Sequence, residues 1–343
     1  IPYTGCRYYA TDSIFLDSTS IRFPNMVLHD EEGNELFFDG TLYHDDYFGD
    51  FKFDLVARPN HTLVFNLPYQ AQEMLSGHTY ATGEVRVFGD EQDVMLTANA
   101  IASGKSSFRF NIGYTYSASS NNFVTFYDHH DIKILNEEDE EEEPLDTRNK
   151  SQGLSTRFKM ALNVEVDPQL NFGLVLNAAT GDEINANGDG AFTVGYDDRT
   201  GAVSMVGTYT LSQGTMGFTV ANVIHRDFTI AEGSSIVWSG EAENPTLNVT
   251  ADYTTSASLK DLFGSDVSAI TTSRTNIPVT TSINLSGGLD DPRIRFDLSL
   301  PRSEREIEDK VRGVINTEEM LMRQVIYLLV FNRFFTPEYM ASA

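Results

Sequence analysis

The sequence holds one cysteine, Cys6, and one tryptophan, Trp238, in 343 residues. A single thiol builds no disulfide framework and no cysteine-rich metal centre. It does not fix the compartment, because a large core stands without staples. Positive charge is scarce: 24 Lys and Arg face 50 Asp and Glu, a formal charge of −26. Such a chain gains nothing from neutralising phosphates, which argues against nucleic acid as a partner. Anionic membrane surfaces repel it at long range, and the charge keeps a β-rich chain soluble. Long apolar runs are missing too. The longest, Val325 to Phe331, is closed by Asn332 and Arg333, well short of the roughly 18 residues that a membrane-spanning helix needs. The sequence begins at Ile1 rather than at a methionine and reads as a mature protein or as a piece of something longer. Thr4-Gly5-Cys6 faintly echoes a lipid-attachment site, but no basic and apolar run precedes it.

Chemistry-bearing motifs are equally sparse. Gly104-Lys105-Ser106 ends like a phosphate loop, yet the first glycine of that motif falls on Asn99. Asn185, Asn187, Asp189 and Gly190 mimic the start of a calcium loop, whose twelfth position is here Tyr196 instead of a bidentate glutamate. His129-His130-Asp131 and His44-Asp45-Asp46 lack a third histidine at matching spacing and read as exposed turn residues. There is no Gly-x-Ser-x-Gly elbow, and the carboxylates are too many for one pair to be singled out. The reading is of a non-enzyme with no metal and no cofactor.

What the sequence does have is a rhythm of two. Phe158, Met160, Leu162, Val164 and Val166 alternate with Lys159, Asn163 and Glu165. The same alternation runs through Phe51–Leu55, Leu63–Leu67, Val85–Val87, Val94–Ala98 and Phe108–Tyr116. It returns at Leu170–Leu176, Phe192–Val194, Val203–Leu211, Met216–Val220, Leu247–Tyr253, Ile277–Leu285 and Ile294–Leu300. That period belongs to strands with one dry face and one wet face. Turn signals separate the runs: Gly89-Asp90, Ser103-Gly104, Asp167-Pro168, Gly181-Asp182, Asp197 to Gly201, Asn244-Pro245 and Asp291-Pro292. Strands joined by short turns predict an antiparallel meander. A weak repeat, VRVFGDEQDVMLTANA (85–100) against IVWSGEAENPTLNVTA (236–251), points to stacked hairpin units.

Two stretches break the rhythm. Glu137 to Glu143 is a run of seven acids, closed by Pro144, and reads as a solvated loop. At the C-terminus, Ser303 with Glu306 suggests a capping box and Gly313 a helix end, with a second helix capped at Asn316 and running to about Phe334. The expected organisation is a β-repeat portion over 1–136, the acidic loop over 137–153, a β domain over 154–301 and a helical segment over 302–343.

The apolar face of so long a sheet has two uses. The sheet closes and the face is core, or it curls without closing and the face lines a groove. The pattern alone favours the closed core.

FTIAEGSSIVWSGEAENPTLNVTADY (228–253) shifts that balance. Its order of Phe228, Gly233, Ser234, Trp238, Gly240, Asn244, Pro245, Leu247, Val249, Ala251 and Tyr253 resembles the C-terminal domain of the TamB family, the translocation and assembly module proteins of Gram-negative bacteria. TYATGEVRVFG (79–89) looks like a second copy of the unit. GGLDDPRIRFDLSLP (287–301) and NTEEMLMRQVIYLLVFNRFF (316–335) resemble the strand pair and helix that follow, in a Bacteroidetes-like form. The resemblance is strong over about 155–335. It implies an all-β, elongated, curled antiparallel sheet, a U-shaped groove of the β-taco type, with a short C-terminal helical segment. It also implies a periplasmic location, an inner-membrane anchor and further strands outside this sequence, and an Omp85-type (TamA-like) outer-membrane partner. The expected function is that of a lipid-transfer bridge whose groove guides phospholipid acyl chains in outer-membrane biogenesis. The expected lining is Phe158, Met160, Leu162, Val164, Val166, Phe172, Leu174, Leu176, Phe192, Val194, Met216, Phe218, Val220, Phe228, Ile230, Trp238, Leu247, Val249, Ile283, Leu285, Ile294 and Phe296. The alternative is a structural or adhesive cell-surface β-repeat protein with a closed core, where aromatic residues could serve glycan binding.

Overall fold

The computed structural model describes residues 4–45, 48–70, 75–111, 156–220, 224–264 and 276–336. Glu137–Glu143, His129–Asp131, Asp46 and the stretch Ile112–Tyr116 lie outside the described residues. The described chain forms one sheet of eighteen strands and three short helices. The first strands are β1 (Tyr9–Ala10), β2 (Phe15–Leu16), β3 (Ser20–His29), β4 (Glu35–Tyr43), β5 (Lys52–Pro59) and β6 (Thr62–Leu67). Next come β7 (Leu75–Asp90), β8 (Asp93–Ala102), β9 (Ser107–Asn111), β10 (Arg157–Val166), β11 (Asn171–Asn177) and β12 (Asp182–Asp197). Then follow β13 (Ala202–Val220), β14 (Ile224–Ile230), β15 (Ser235–Glu241), β16 (Thr246–Ser258), β17 (Asn276–Gly288) and β18 (Arg293–Ser299). The helices are α1 (Leu259–Phe263), α2 (Arg305–Val314) and α3 (Glu318–Phe331).

The hydrogen-bond register arranges these strands as a ladder of alternating broken and continuous rungs. β5 and β6 lie end to end along β7, and β8 and β9 lie end to end on its other side. β10 and β11 share β12 in the same way, and β14 and β15 lie between β13 and β16. Backbone bonds tie the breaks to their neighbours, among them Asp167 N to Ala102 O (3.0 Å), Asn171 N to Ser106 O (2.9 Å) and Leu211 N to Ser234 O (2.9 Å). The breaks therefore fall on one line, and the sheet creases there into two walls.

One expectation fails in part. The meander is antiparallel except at a single seam, where β10 pairs with β8 and β11 with β9 in parallel, Phe158 opposite Val94 and Phe172 opposite Phe108. A parallel pair needs a crossover rather than a hairpin, and the chain between Asn111 and Arg157 is long enough to supply it. A second misreading concerns β13. Val203, Tyr209 and Leu211 sit on odd positions, Met216, Phe218 and Val220 on even ones, which looks like two strands. It is one strand with a bulge at Ser212: Leu211 pairs with Gly188 and Gln213 with Asn187. One extra residue flips the parity, so both series face the same side.

The sheet curls strongly toward its apolar face. β13 and β18 are four strands apart, about 19 Å in a flat sheet. The Phe218 and Phe296 ring centroids nevertheless lie 6.2 Å apart. Phe172 on β11 and Trp238 on β15 are three strands apart and on opposite walls, with centroids at 6.2 Å. The two walls thus meet, and one large buried cluster fills the space from Ala102 of β8 and Phe110 of β9 to β17.

The helices close that end. Val325 and Leu329 of α3 enter the main cluster, while Leu328 joins Leu262, Ile307 and Val311 in a second one. The caps differ from expectation. Ser303 spends its amide on a turn to Leu300 O, so α2 starts one residue later behind Glu304, and the Ser303 hydroxyl has no partner. Helix α2 runs past Gly313 to Val314. Thr317, not Asn316, caps α3 by accepting from Met320 N. That helix stops at Asn332, whose left-handed backbone (φ 54°) ends it before Phe334.

Candidate functional site

The candidate site is the apolar face of the first wall, and the register shows how it is continuous. One row reads Leu55, Val87, Leu96, Met160, Tyr196 and Val203, each directly opposite the next on β5, β7, β8, β10, β12 and β13. The row below reads Ala57, Val85, Ala98, Leu162, Val194, Met205 and Gly240. Below that stand Gly83, Ala100, Val164, Phe192, Gly207 and Trp238. The lowest row, at the crease, is Ala81, Ala102, Val166, Gly190, Tyr209, Ile236 and Leu247. Directly opposed residues share a face, so these rows make one surface.

Burial grades across it. Every residue of the first row is half-buried. The crease row holds fully buried residues at both ends, Ala81 and Ala102 at one and Tyr209, Ile236 and Leu247 at the other. A trough results, with a half-buried apolar wall from β5 to β13 and a floor at the crease. Six strands about 4.8 Å apart give a row of roughly 24 Å, longer than one bilayer leaflet's hydrocarbon depth of about 15 Å. The opposite face is mostly polar, with Ile101 and Val206 standing exposed on it. Asn163 bonds to Asn99 (2.9 Å) and accepts from Thr193 (3.0 Å); Arg86 grips Asp54 through two nitrogens (2.7 and 2.6 Å); Arg58 meets Glu84 at 2.8 Å.

The structure sorts the expected lining residues into three groups. Phe158, Met160, Leu162 and Val194 stand half-buried on the trough wall, and Val164, Val166, Leu176, Phe192, Phe218 and Phe296 are half-buried against the packed cluster. Phe172, Leu174, Met216, Val220, Phe228, Ile230, Trp238, Leu247, Val249, Ile283 and Leu285 are buried in that cluster, where they touch protein rather than an open channel. Ile294 lies on β18 at the sheet's outermost described strand and is 43% exposed. The wall also contains residues outside that set: Leu55, Val87, Leu96, Tyr196, Val203 and Met205. Their alternation was visible, but only the register reveals that they continue the row.

An aromatic cluster marks where the trough ends. Phe192 lies 5.5 Å from Trp238 and 6.4 Å from Tyr209, and Phe172 lies 5.0 Å from Tyr209. The indole Nε1 donates to Ala242 O at 3.1 Å. Burial pushes the Tyr209 phenol well above its usual range, and burial beside Asp198 and Asp197 also raises that of Tyr196.

Other candidates lead away from chemistry. His44, read from sequence as an exposed turn residue, is buried and stacked on Phe48 at 4.3 Å. Asn185 and Asn187 lie in mid-strand on β12, bonded to Asn171 and to Gln169 O, not in a calcium loop. Among the described residues no group of three or more His, Cys, Asp or Glu is placed to hold a metal ion. No helix of the described residues is long and apolar enough to cross a membrane.

Residues 26–342 match the family described as the TamB C-terminal domain. No curated protein matches the chain.

Proposed function

From the premise that this chain belongs to the TamB family, we propose that it is a periplasmic, non-enzymatic lipid conduit whose trough carries phospholipid acyl chains between the membranes. The observation that carries the proposal is the half-buried, incompletely covered apolar row from Leu55 to Val203. A closed-core adhesin, the rival reading, has no use for it. Each methylene left in water costs about 0.8 kcal/mol, so free transfer of a two-chain lipid is prohibitive. A wall that offers apolar contact along its whole length lowers that barrier without any reaction. Met160 and Met205 add flexible, polarisable side chains that suit a sliding guest. In this reading an Omp85-type, TamA-like protein receives the lipid at the outer membrane.

The test is native mass spectrometry and lipid extraction on protein purified without detergent. Wild-type protein is expected to carry phospholipid. The triple variant Met160→Glu, Leu162→Glu, Val194→Glu is expected to carry none while keeping its circular dichroism, because all three positions already border solvent. A lipid-free wild type, or a triple variant with unchanged lipid content, overturns the proposal.

A further inference from the structure

Helix α3 is apolar on both sides. One side, Val325, Leu328 and Leu329, packs into the sheet. The other presents Met322 (40% exposed), Tyr327 (37%) and Phe331 (58%) to solvent. Tyr327 gathers Phe331 and Phe335 around it, with ring centroids at 5.3 and 5.0 Å. Arg323 is the cation on that side, held by Glu319 at 2.8 Å. Its guanidinium lies 5.8 Å from the centre of the Phe335 ring. A soluble helix normally turns charges outward, so this face is fitted to something it covers.

Charge decides between the occupants. Residues 293–336 hold eight basic and seven acidic side chains, whereas the other residues hold sixteen basic and forty-three acidic. The C-terminal stretch that carries α3 is thus near neutral on an otherwise strongly acidic chain. A second copy of the chain would bring another −26 charges to the contact, and the two copies would repel. A bilayer surface asks for something else: an apolar patch with tyrosine and phenylalanine at headgroup depth and no local excess of negative charge.

We propose that the outward face of α3 seats on the surface of a lipid bilayer. Tyr327 and Phe331 enter the interface, and Arg323 reaches toward the headgroups. The helix lies along the surface and does not cross it. Its inner side closes the packed end of the trough, so the contact would hold that end against the membrane. The proposal does not rest on lipid passing through the trough.

The test is flotation of the full chain with phosphatidylcholine vesicles. Wild-type protein is expected to float, with little change at about 0.5 M salt, because burial of apolar surface is not screened. The variant Tyr327→Glu, Phe331→Glu is expected to lose at least about tenfold in bound fraction. Phe331→Ser, the milder change, is expected to lose part of it. Phe331→Ser should melt close to the wild type, since Phe331 is 58% exposed, while the double variant loses the ring contacts of Tyr327 and is compared at a temperature where circular dichroism shows it folded. The Met160, Leu162, Val194 triple variant should float normally, which separates this contact from the trough. Four results overturn the proposal: a wild type that stays in the dense fraction; a double variant that floats unchanged; binding to anionic vesicles alone that vanishes in salt; or a wild-type dimer, dissociated by the double variant, without vesicle binding.

Discussion

Leu162 and Leu174 are both leucines on strands of the same sheet, and truncating each to alanine separates an open wall from a closed core. Leu174 is fully buried (0% exposed), with Phe110 and Ile184 opposite it on the neighbouring strands. Its loss leaves a sealed cavity, so Leu174→Ala is expected to cost about 2–5 kcal/mol. Leu162 stands between Ala98 and Val194 with one side in solvent. It recovers only part of the roughly 1.5–3 kcal/mol of a fully buried leucine, and its removal seals no cavity. Leu162→Ala is expected to cost about 1–2 kcal/mol, less than Leu174→Ala.

Trp238 makes the measurement local. It is the sole tryptophan, 2% exposed, and touches Phe172 two residues from Leu174 and Phe192 two residues from Val194. Urea unfolding followed by its fluorescence reports on the region joining both sites. Added phospholipid should widen the cost of Leu162→Ala toward that of a buried leucine, because a guest then covers the side chain. Equal costs for the two substitutions in lipid-free protein would refute the reasoning, since the wall would then be filled by the protein itself.

Two further outcomes follow from buried polar groups. The Asp30 carboxylate, 3% exposed, accepts bonds from Leu63 N (2.8 Å), Glu32 N (3.0 Å), Asn34 N (2.8 Å) and Asn34 Nδ2 (2.9 Å). Burial raises its pKa, but these donors outweigh that and hold it below the usual value. A lowered folded value means stability present above the unfolded value of about 3.9 and lost as pH falls through the folded one. Asp30→Ala is therefore expected to cost about 2–3 kcal/mol at neutral pH and to flatten the acid limb of a pH melt. Gln324, fully buried, gives its amide to Phe335 O and accepts from Phe335 N, both at 2.8 Å. Gln324→Leu should orphan both backbone groups, cost about 2 kcal/mol, and raise hydrogen exchange at Phe335.

The strands were legible because one-sided burial writes itself into sequence as a period of two. The turns were legible because Gly, Pro, Asn and Asp mark them, and Gly89 and Gly240 adopt φ of 138° and 147° at matching positions of the two repeat copies. Three features were not legible. The parallel seam joins residues about sixty apart, Phe158 to Val94, and no local pattern encodes a pairing at that distance. The bulge at Ser212 imitates a strand boundary, since a parity flip looks the same in both cases. The division between wall and core was hidden as well: Leu162 and Leu174 belong to equally clean alternations and differ only in what curls over them.

Side-chain size along the rows explains why one sheet has an open wall and a closed end. The row at the crease passes from Ala81 and Ala102 through Val166 and Gly190 to Tyr209, Ile236 and Leu247. The row above it passes from Gly83 and Ala100 through Val164 and Phe192 to Trp238. Toward β15 and β16 the interior side chains are large enough to bridge the walls, and Phe172 meets Trp238. Toward β7 and β8 the same two rows carry only methyl groups or hydrogens, and Ala81 and Ala102 are buried beneath neighbouring side chains. The packed end fixes the curl through its cross-wall contacts, and the continuous backbone ladder carries that curl to strands whose own side chains do not enforce it. The half-buried wall thus stands over a floor of alanine and glycine, while tryptophan, tyrosine and phenylalanine bridge the two walls at the packed end.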